Sequence, residues 1–252
     1  MIDTHCHLDF EDFDKDRDEV IKRAKKNLTA LINSGTTFEG NIKALQLSKD
    51  YKDFIYPSFG FHPLQSANMS NENLDSVLLQ LNEHLDEIVA VGEVGMDFFH
   101  VKDKFQRDRQ IDIFKKFCDF ANEHQKQVLI HCRDAEKKAF NIVSQFKAIP
   151  NVIFHCYSGS LKTAKKIEDM GYYMSASGMI SYSKKHQELF TEISLENILT
   201  ETDSPYLHPI RGERNEPSSV KLVIDKIAEI KEIDFSVVNK TTEDNAKKVF
   251  NI

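Results

Sequence analysis

Gln127-Val128-Leu129-Ile130-His131 is apolar at three consecutive positions and ends on a histidine. A half-buried strand alternates apolar and polar side chains. An unbroken run instead marks a strand covered on both faces, as in a parallel sheet flanked by helices. Asn151-Val152-Ile153-Phe154-His155 repeats the pattern. Working outward, similar short runs occur at Met1–His5, Leu28–Asn33, Phe54–Gly60, Ile88–Glu93, Tyr172–Ser177 and Asn197–Asp203, which makes eight candidate strands. The stretches between them have helical spacing. Asp14–Asn27 carries Val20, Ile21 and Ala24 on one stripe. Asn71–Glu87 does so with Leu74, Val77, Leu78 and Leu81, and Gln106–His124 with Ile111, Phe114, Phe117 and Phe120. Two further helices, Ser219–Lys231 and Phe235–Val249, are expected to close the ring. Eight strands alternating with helices over 252 residues predict a (β/α)8 TIM barrel, one domain spanning residues 1–252. The competing open, doubly wound sheet usually has a glycine-rich phosphate turn after its first strand, and this sequence has none there.

Composition narrows the function classes. Apolar residues make up 40% and charged residues 29%, as in ordinary globular proteins. No apolar run approaches the ~20 residues of a membrane-spanning helix. The formal charge of −7 argues against holding nucleic acid by bulk charge, so a polyanionic partner must be gripped locally. Four cysteines in a chain of this length do not form a disulfide framework. The opening Met1-Ile2-Asp3-Thr4-His5 lacks the basic and apolar regions of a secretory signal. A cytoplasmic protein without a membrane or an obligate protein partner is expected.

The chemistry-bearing residues fall at strand ends. His5, His7, His131 and His155 lie at or near the C-terminal ends of candidate strands, Glu93 ends the fourth and Asp203 the eighth. In a barrel those ends meet at the face where active sites form. Residues two apart on a strand point the same way, so His5 and His7 aim inward together and Cys6 outward. Four imidazoles and two carboxylates exceed the needs of one tetrahedral ion and suit two ions with a bridging carboxylate. One such histidine alone is more often a hydrogen-bonded core residue; six groups converging are hard to place by accident. The next inward layer, counted two residues back, is expected to be Asp3, Val91, Leu129, Ile153 and Glu201. Asp3 or Glu201 would accept a hydrogen bond from a ligand imidazole. Cys6, Cys132 and Cys156 are expected to be small outward residues under the helices rather than thiolate ligands.

These residues resemble those of the TatD-type metal-dependent deoxyribonucleases of the amidohydrolase superfamily. The similarity runs in order through Asp3-Thr4-His5-Cys6-His7-Leu8-Asp9, Gly60-Phe61-His62-Pro63 and Gly92-Glu93-Val94-Gly95-Met96-Asp97. It continues through Ile130-His131-Cys132-Arg133, His155-Cys156-Tyr157-Ser158-Gly159, Glu201-Thr202-Asp203-Ser204-Pro205-Tyr206 and Arg214-Asn215-Glu216-Pro217, to the closing Asn245-Ala246-Lys247-Lys248-Val249-Phe250. The resemblance implies hydrolysis of phosphodiester bonds in DNA, often trimming single strands from the 3′ end. It implies two divalent cations, with His5, His7 and Asp203 on one, His131 and His155 on the other, and Glu93 shared.

Catalysis is thus expected from Asp203 and Glu93. Asp203 is either the general base or only a ligand. The imidazole-rich set places zinc or manganese ahead of magnesium. Loops after the strands offer His62, Arg133, Ser158 and Arg211 to a DNA substrate, with Tyr157 and Arg214 nearby. Phe98, Phe99 and Tyr206 are either base-stacking or core aromatics. A second reading keeps the metals and changes the bond, to an amide or ester hydrolase such as a D-aminoacyl-tRNA deacylase. A third is a metal-binding scaffold without turnover.

Overall fold

The computed structural model describes residues 1–210 and 212–252. Eight parallel strands pair in chain order: β1 (Ile2–Cys6), β2 (Ala30–Ser34), β3 (Ile55–Phe59), β4 (Ala90–Asp97), β5 (Val128–Arg133), β6 (Val152–Phe154), β7 (Tyr173–Ala176) and β8 (Ile198–Thr200). The ring closes where the Asp203 amide donates to the His5 carbonyl (2.9 Å) and the His7 amide to that of Ser204 (2.8 Å). Among the described residues ten α-helices flank the sheet. They are α1 (Arg17–Lys25), α2 (Phe38–Asp50), α3 (Pro63–Ser66), α4 (Asn71–Glu83), α5 (Lys104–Glu123), α6 (Glu136–Val143), α7 (Leu161–Asp169), α8 (Lys184–Glu192), α9 (Val220–Lys231) and α10 (Phe235–Phe250). The expected TIM barrel is what forms. None of these helices is long and apolar enough to cross a membrane.

Alternation sorts each strand into two cores. Ala30, Ile32, Leu129, Ile153, Tyr173 and Leu199 fill the barrel, and Ala246, Val249 and Phe250 of α10 plug its floor. Their neighbours Val128, Ile130, Val152, Phe154, Met174 and Ile198 face outward against the helices. Ser70 and Asp103 cap α4 and α5 by accepting from the amides of Asn73 and Gln106, satisfying first-turn donors.

Two strands break the alternation, and both carry site residues. The register of β1 slips between Asp3 and Cys6, and that of β4 between Val91 and Val94. The interior positions are therefore Ile2 and Ala90, not Asp3 and Val91, and Val91 packs outward with Val94 and Met96. An extra residue in a strand turns everything after it to the other face. It also lengthens β4, so Glu93 sits within that strand rather than at its end. Asp203 stands three residues past β8, in the left-handed conformation (φ 55°).

Candidate metal centre

Donor atoms from five strands or their extensions meet at the C-terminal face. His5 Nε2 and His7 Nε2 lie 3.1 Å apart. Glu93 Oε2 is 3.4 Å from the first and 3.6 Å from the second. Asp203 Oδ1 is 3.6 and 3.4 Å away, respectively. The other carboxylate oxygen of Glu93 faces a second group. Oε1 lies 2.7 Å from His131 Nδ1, 2.9 Å from His155 Nε2 and 3.6 Å from His62 Nε2. The structure thus brings together all six residues read from the sequence as candidate ligands, and it adds His62.

The far nitrogen of each ring has a polar neighbour. His7 Nδ1 donates to the Ser34 carbonyl (2.8 Å), and Ser34 Oγ lies 3.1 Å from His5 Nδ1. His131 Nε2 faces Asp97 Oδ2 at 3.3 Å. His155 Nδ1 faces Glu201 Oε1 at 3.4 Å without a hydrogen bond between them, so Glu201 stands beside the His155 ring as expected but does not accept from it. Asp3 does not share that position: its carboxylate accepts from the Thr202 amide and hydroxyl (2.9 and 2.6 Å) and touches no imidazole ring. At His7, where the far nitrogen donates to a carbonyl, the inner nitrogen of the neutral ring bears a lone pair. The same holds at His131 and His155, whose far nitrogens face carboxylates. These lone pairs crowd around carboxylate oxygens, and positive charge must lie between them. Around His5 and His7 the donor separations are those around an ion with bonds of about 2.0–2.2 Å, whereas His131 and His155 meet Glu93 Oε1 at hydrogen-bond length, where a cation would replace the shared protons; both groups have the donor chemistry for divalent cations.

The same carboxylates draw protons onto the rings as they would draw a cation. Burial alone would push the Glu93 and Asp203 carboxyls up, but the surrounding imidazoles hold both below the usual range. Burial would equally strip the imidazoles of protons. The hydrogen bond and charge of Asp203, with the charge of Glu93, instead push His7 up to about 9. His155 is raised by Glu93 and Glu201, and His131 by Asp97 and Glu93. His5, buried beside His155, is held down.

A cavity of about 650 Å³ opens over this cluster, lined by His62, Glu93, His100, Arg133, Ser158 and Asp203 among others. His62, Arg133 and Ser158 therefore lie where the sequence placed them, facing the space beside the cluster. Arg211 lies outside the described residues. Arg214 is elsewhere: its guanidinium donates to both oxygens of Asp16 (2.8 and 2.6 Å) and to the Asp12 carbonyl. Tyr157 is buried, with its hydroxyl donating to the Ser160 carbonyl. Phe99 and Tyr206 are exposed, whereas Phe98 packs against the core. Cys6 and Cys132 pack under the helices as expected. Cys156 does not: the chain turns left-handed there (φ 45°), and its thiol meets Ser177 Oγ at 3.2 Å at the cavity wall. Asp97 and Ser34 were missed. Asp97 was legible in principle, because the residues after the slip in β4 alternate again and put it on the inner face beside Arg133. A serine ending β2 carries no such signal.

Comparison with known proteins adds an independent line. The family model described as TatD related DNase matches residues 2–251. A metal-dependent hydrolase of Methanocaldococcus jannaschii is 41% identical over 251 residues, covering 99% of this chain and 96% of that protein. The human protein named deoxyribonuclease TATDN3 is 31% identical, covering 99% and 94%. The crystal structure of the Escherichia coli TatD homologue YJJV superposes with a TM-score of 0.91 at 27% identity, covering 100% of this chain and 98% of that one. A barrel with clustered histidines and acids at its C-terminal face, matched along nearly its whole length, belongs to the TatD-related DNase family and is a metal-dependent hydrolase.

Proposed function

We propose that this chain hydrolyses phosphodiester bonds of DNA, trimming single strands from the 3′ end. One observation carries the reading. Glu93 offers its two oxygens to two separate imidazole groups, and the cavity above it is lined by Asp203 beside the first group, by His131 and His155 of the second, and by basic side chains. A phosphodiester resists attack because its charge repels nucleophiles and its leaving alkoxide is poor. A centre with doubled positive charge addresses both.

His5, His7 and Asp203 would hold one divalent cation and His131 and His155 the other, with Glu93 between them; zinc or manganese suits these donors better than magnesium. Such ions, when bound, supply a water acidic enough to ionise near neutral pH and positive charge beside the phosphate. Asp203, a ligand at the cavity floor, takes the proton of the attacking water. Arg133, whose guanidinium meets no carboxylate among the described residues, donates to phosphate oxygens. His62 and Ser158 position the substrate beside it. His186 Nε2, 2.9 Å from Ser158 Oγ, fixes that hydroxyl. The four free thiols suit a reducing compartment, which supports a cytoplasmic enzyme.

The test is a side-by-side incubation of purified protein with Mn²⁺ and three substrates: end-labelled single-stranded DNA, tRNA mischarged with a D-amino acid, and simple esters. Stepwise shortening from the 3′ end, lost in Glu93→Ala, is the expected result. Release of the amino acid without DNA loss would reassign the centre to ester hydrolysis. No turnover on any substrate would leave only a metal-binding scaffold.

A further inference from the structure

Asp97 joins the centre to a histidine that the reaction above does not use. Its Oδ2 lies 3.3 Å from His131 Nε2 and accepts from His100 Nδ1 at 2.8 Å. Its Oδ1 accepts from the His100 amide at 2.7 Å, and the Asp97 amide donates to Gln110 Oε1. The carboxylate is 1% exposed, whereas the His100 side chain is 47% exposed and lines the cavity. A buried anion thus fixes the ring from the Nδ1 side, and Nε2 is the nitrogen left for a ligand. Beside it, Phe99 meets the His100 ring edge-to-face at 4.9 Å, and Arg133 lies over the Phe99 ring at 4.0 Å. Imidazole, aromatic ring and guanidinium form a continuous ledge on the β4–β5 side of the cavity, one acceptor atom away from His131.

We propose that His100, with Arg133, binds the phosphate next to the scissile one, so that the site reads a strand rather than an isolated diester. This rests on the phosphodiesterase reading. His100 stands outside the donor set and reaches His131 only through Asp97, so a phosphate on its Nε2 lies beside the one that meets the cluster. Asp97 holds the ring from the Nδ1 side, and Nε2 meets the phosphate oxygen. The exposed Phe99 ring gives the intervening nucleotide an apolar surface.

The experiment uses short single-stranded oligonucleotides in which the linkage on the 5′ side of the 3′-terminal scissile bond is either a normal phosphodiester or a neutral methylphosphonate. KM is measured with Mn²⁺ for the wild-type protein, His100→Ala and His100→Asn. In the wild type, neutralising that linkage raises KM about tenfold, the scale of a lost hydrogen bond to a charged group. In His100→Ala that charged-to-neutral ratio falls below about twofold. His100→Asn gives the same collapse, because an asparagine amide still donates to Asp97 but has nothing at the Nε2 position. An unchanged ratio in both variants overturns the subsite. So does a ratio kept in His100→Asn and lost in His100→Ala, which would make His100 a support for Asp97. Absence of any diester cleavage by the wild type removes the proposed function and the subsite with it, whereas cleavage without discrimination removes the subsite alone.

Discussion

At the residue scale, the assignment turns on what each carboxylate does. Asp203→Asn keeps the side chain's size but cannot take a proton. We expect kcat to fall about 10²–10⁴-fold, while metal analysis still finds at least one ion per chain on the His131–His155 side. Near-normal turnover would remove Asp203 from the proton transfer. Asp97 acts at one remove, by facing His131 Nε2. Partners in that position typically account for 10–100-fold in metal affinity. Asp97→Asn is therefore expected to weaken one of two binding steps by about that factor in a competition titration with a chromophoric chelator. Equal weakening of both steps would mean that the carboxylate supports the whole face rather than one ligand.

At the element scale, the placement of Glu93 depends on β3 lying tightly against β4. Gly60, just past β3, is the packing floor: a Cβ there would collide with the backbone nitrogen and carbonyl of Glu93. Gly60→Ala must shift β4 or itself. We expect about 1–3 kcal/mol of destabilisation by chemical denaturation. Activity should fall further than the folded fraction does, because the displaced backbone carries the shared carboxylate. The segment after β8 is anchored differently. Arg214 ties it to the β1–α1 connection through Asp16, but both partners are about one-third exposed. Surface pairs of this kind contribute about 0–1 kcal/mol. Arg214→Ala should cost no more than that in denaturant unfolding, and a larger loss would show that the guanidinium's packing over Phe13 matters more than its charge.

At the scale of the whole molecule, the barrel ring and its floor meet at Glu243. This α10 residue accepts from Lys247 Nζ (2.7 Å) and from the Met1 amino group (2.6 Å). Burial opposes ionisation, but these two cations hold its carboxyl down at about 2. A carboxyl lowered on folding contributes its full stability above the unfolded value near 4.5 and loses it as pH falls through that value towards 2. The melting temperature should therefore drop between about pH 4.5 and 2, and Glu243→Gln should flatten that limb. An identical acid limb in the variant would assign the loss to other carboxylates.

The sequence by itself determined the barrel and pointed to the six side chains that meet at its C-terminal face. Strands buried on both faces cannot avoid consecutive apolar residues, and histidines closing such runs at residues 131 and 155 are local signals that survive without coordinates. The tertiary structure decided what depends on contacts between strands. The slips in β1 and β4 place Ile2 and Ala90 inside, three residues before His5 and Glu93, because a bulge is defined by its partner strand and leaves no composition mark. The same holds for Ser34 at the cluster, for the approach of His62 to Glu93, and for Arg214 and Tyr157 away from it. A side chain's type is written locally, but its partner is set by which loops fold over the same end of the barrel.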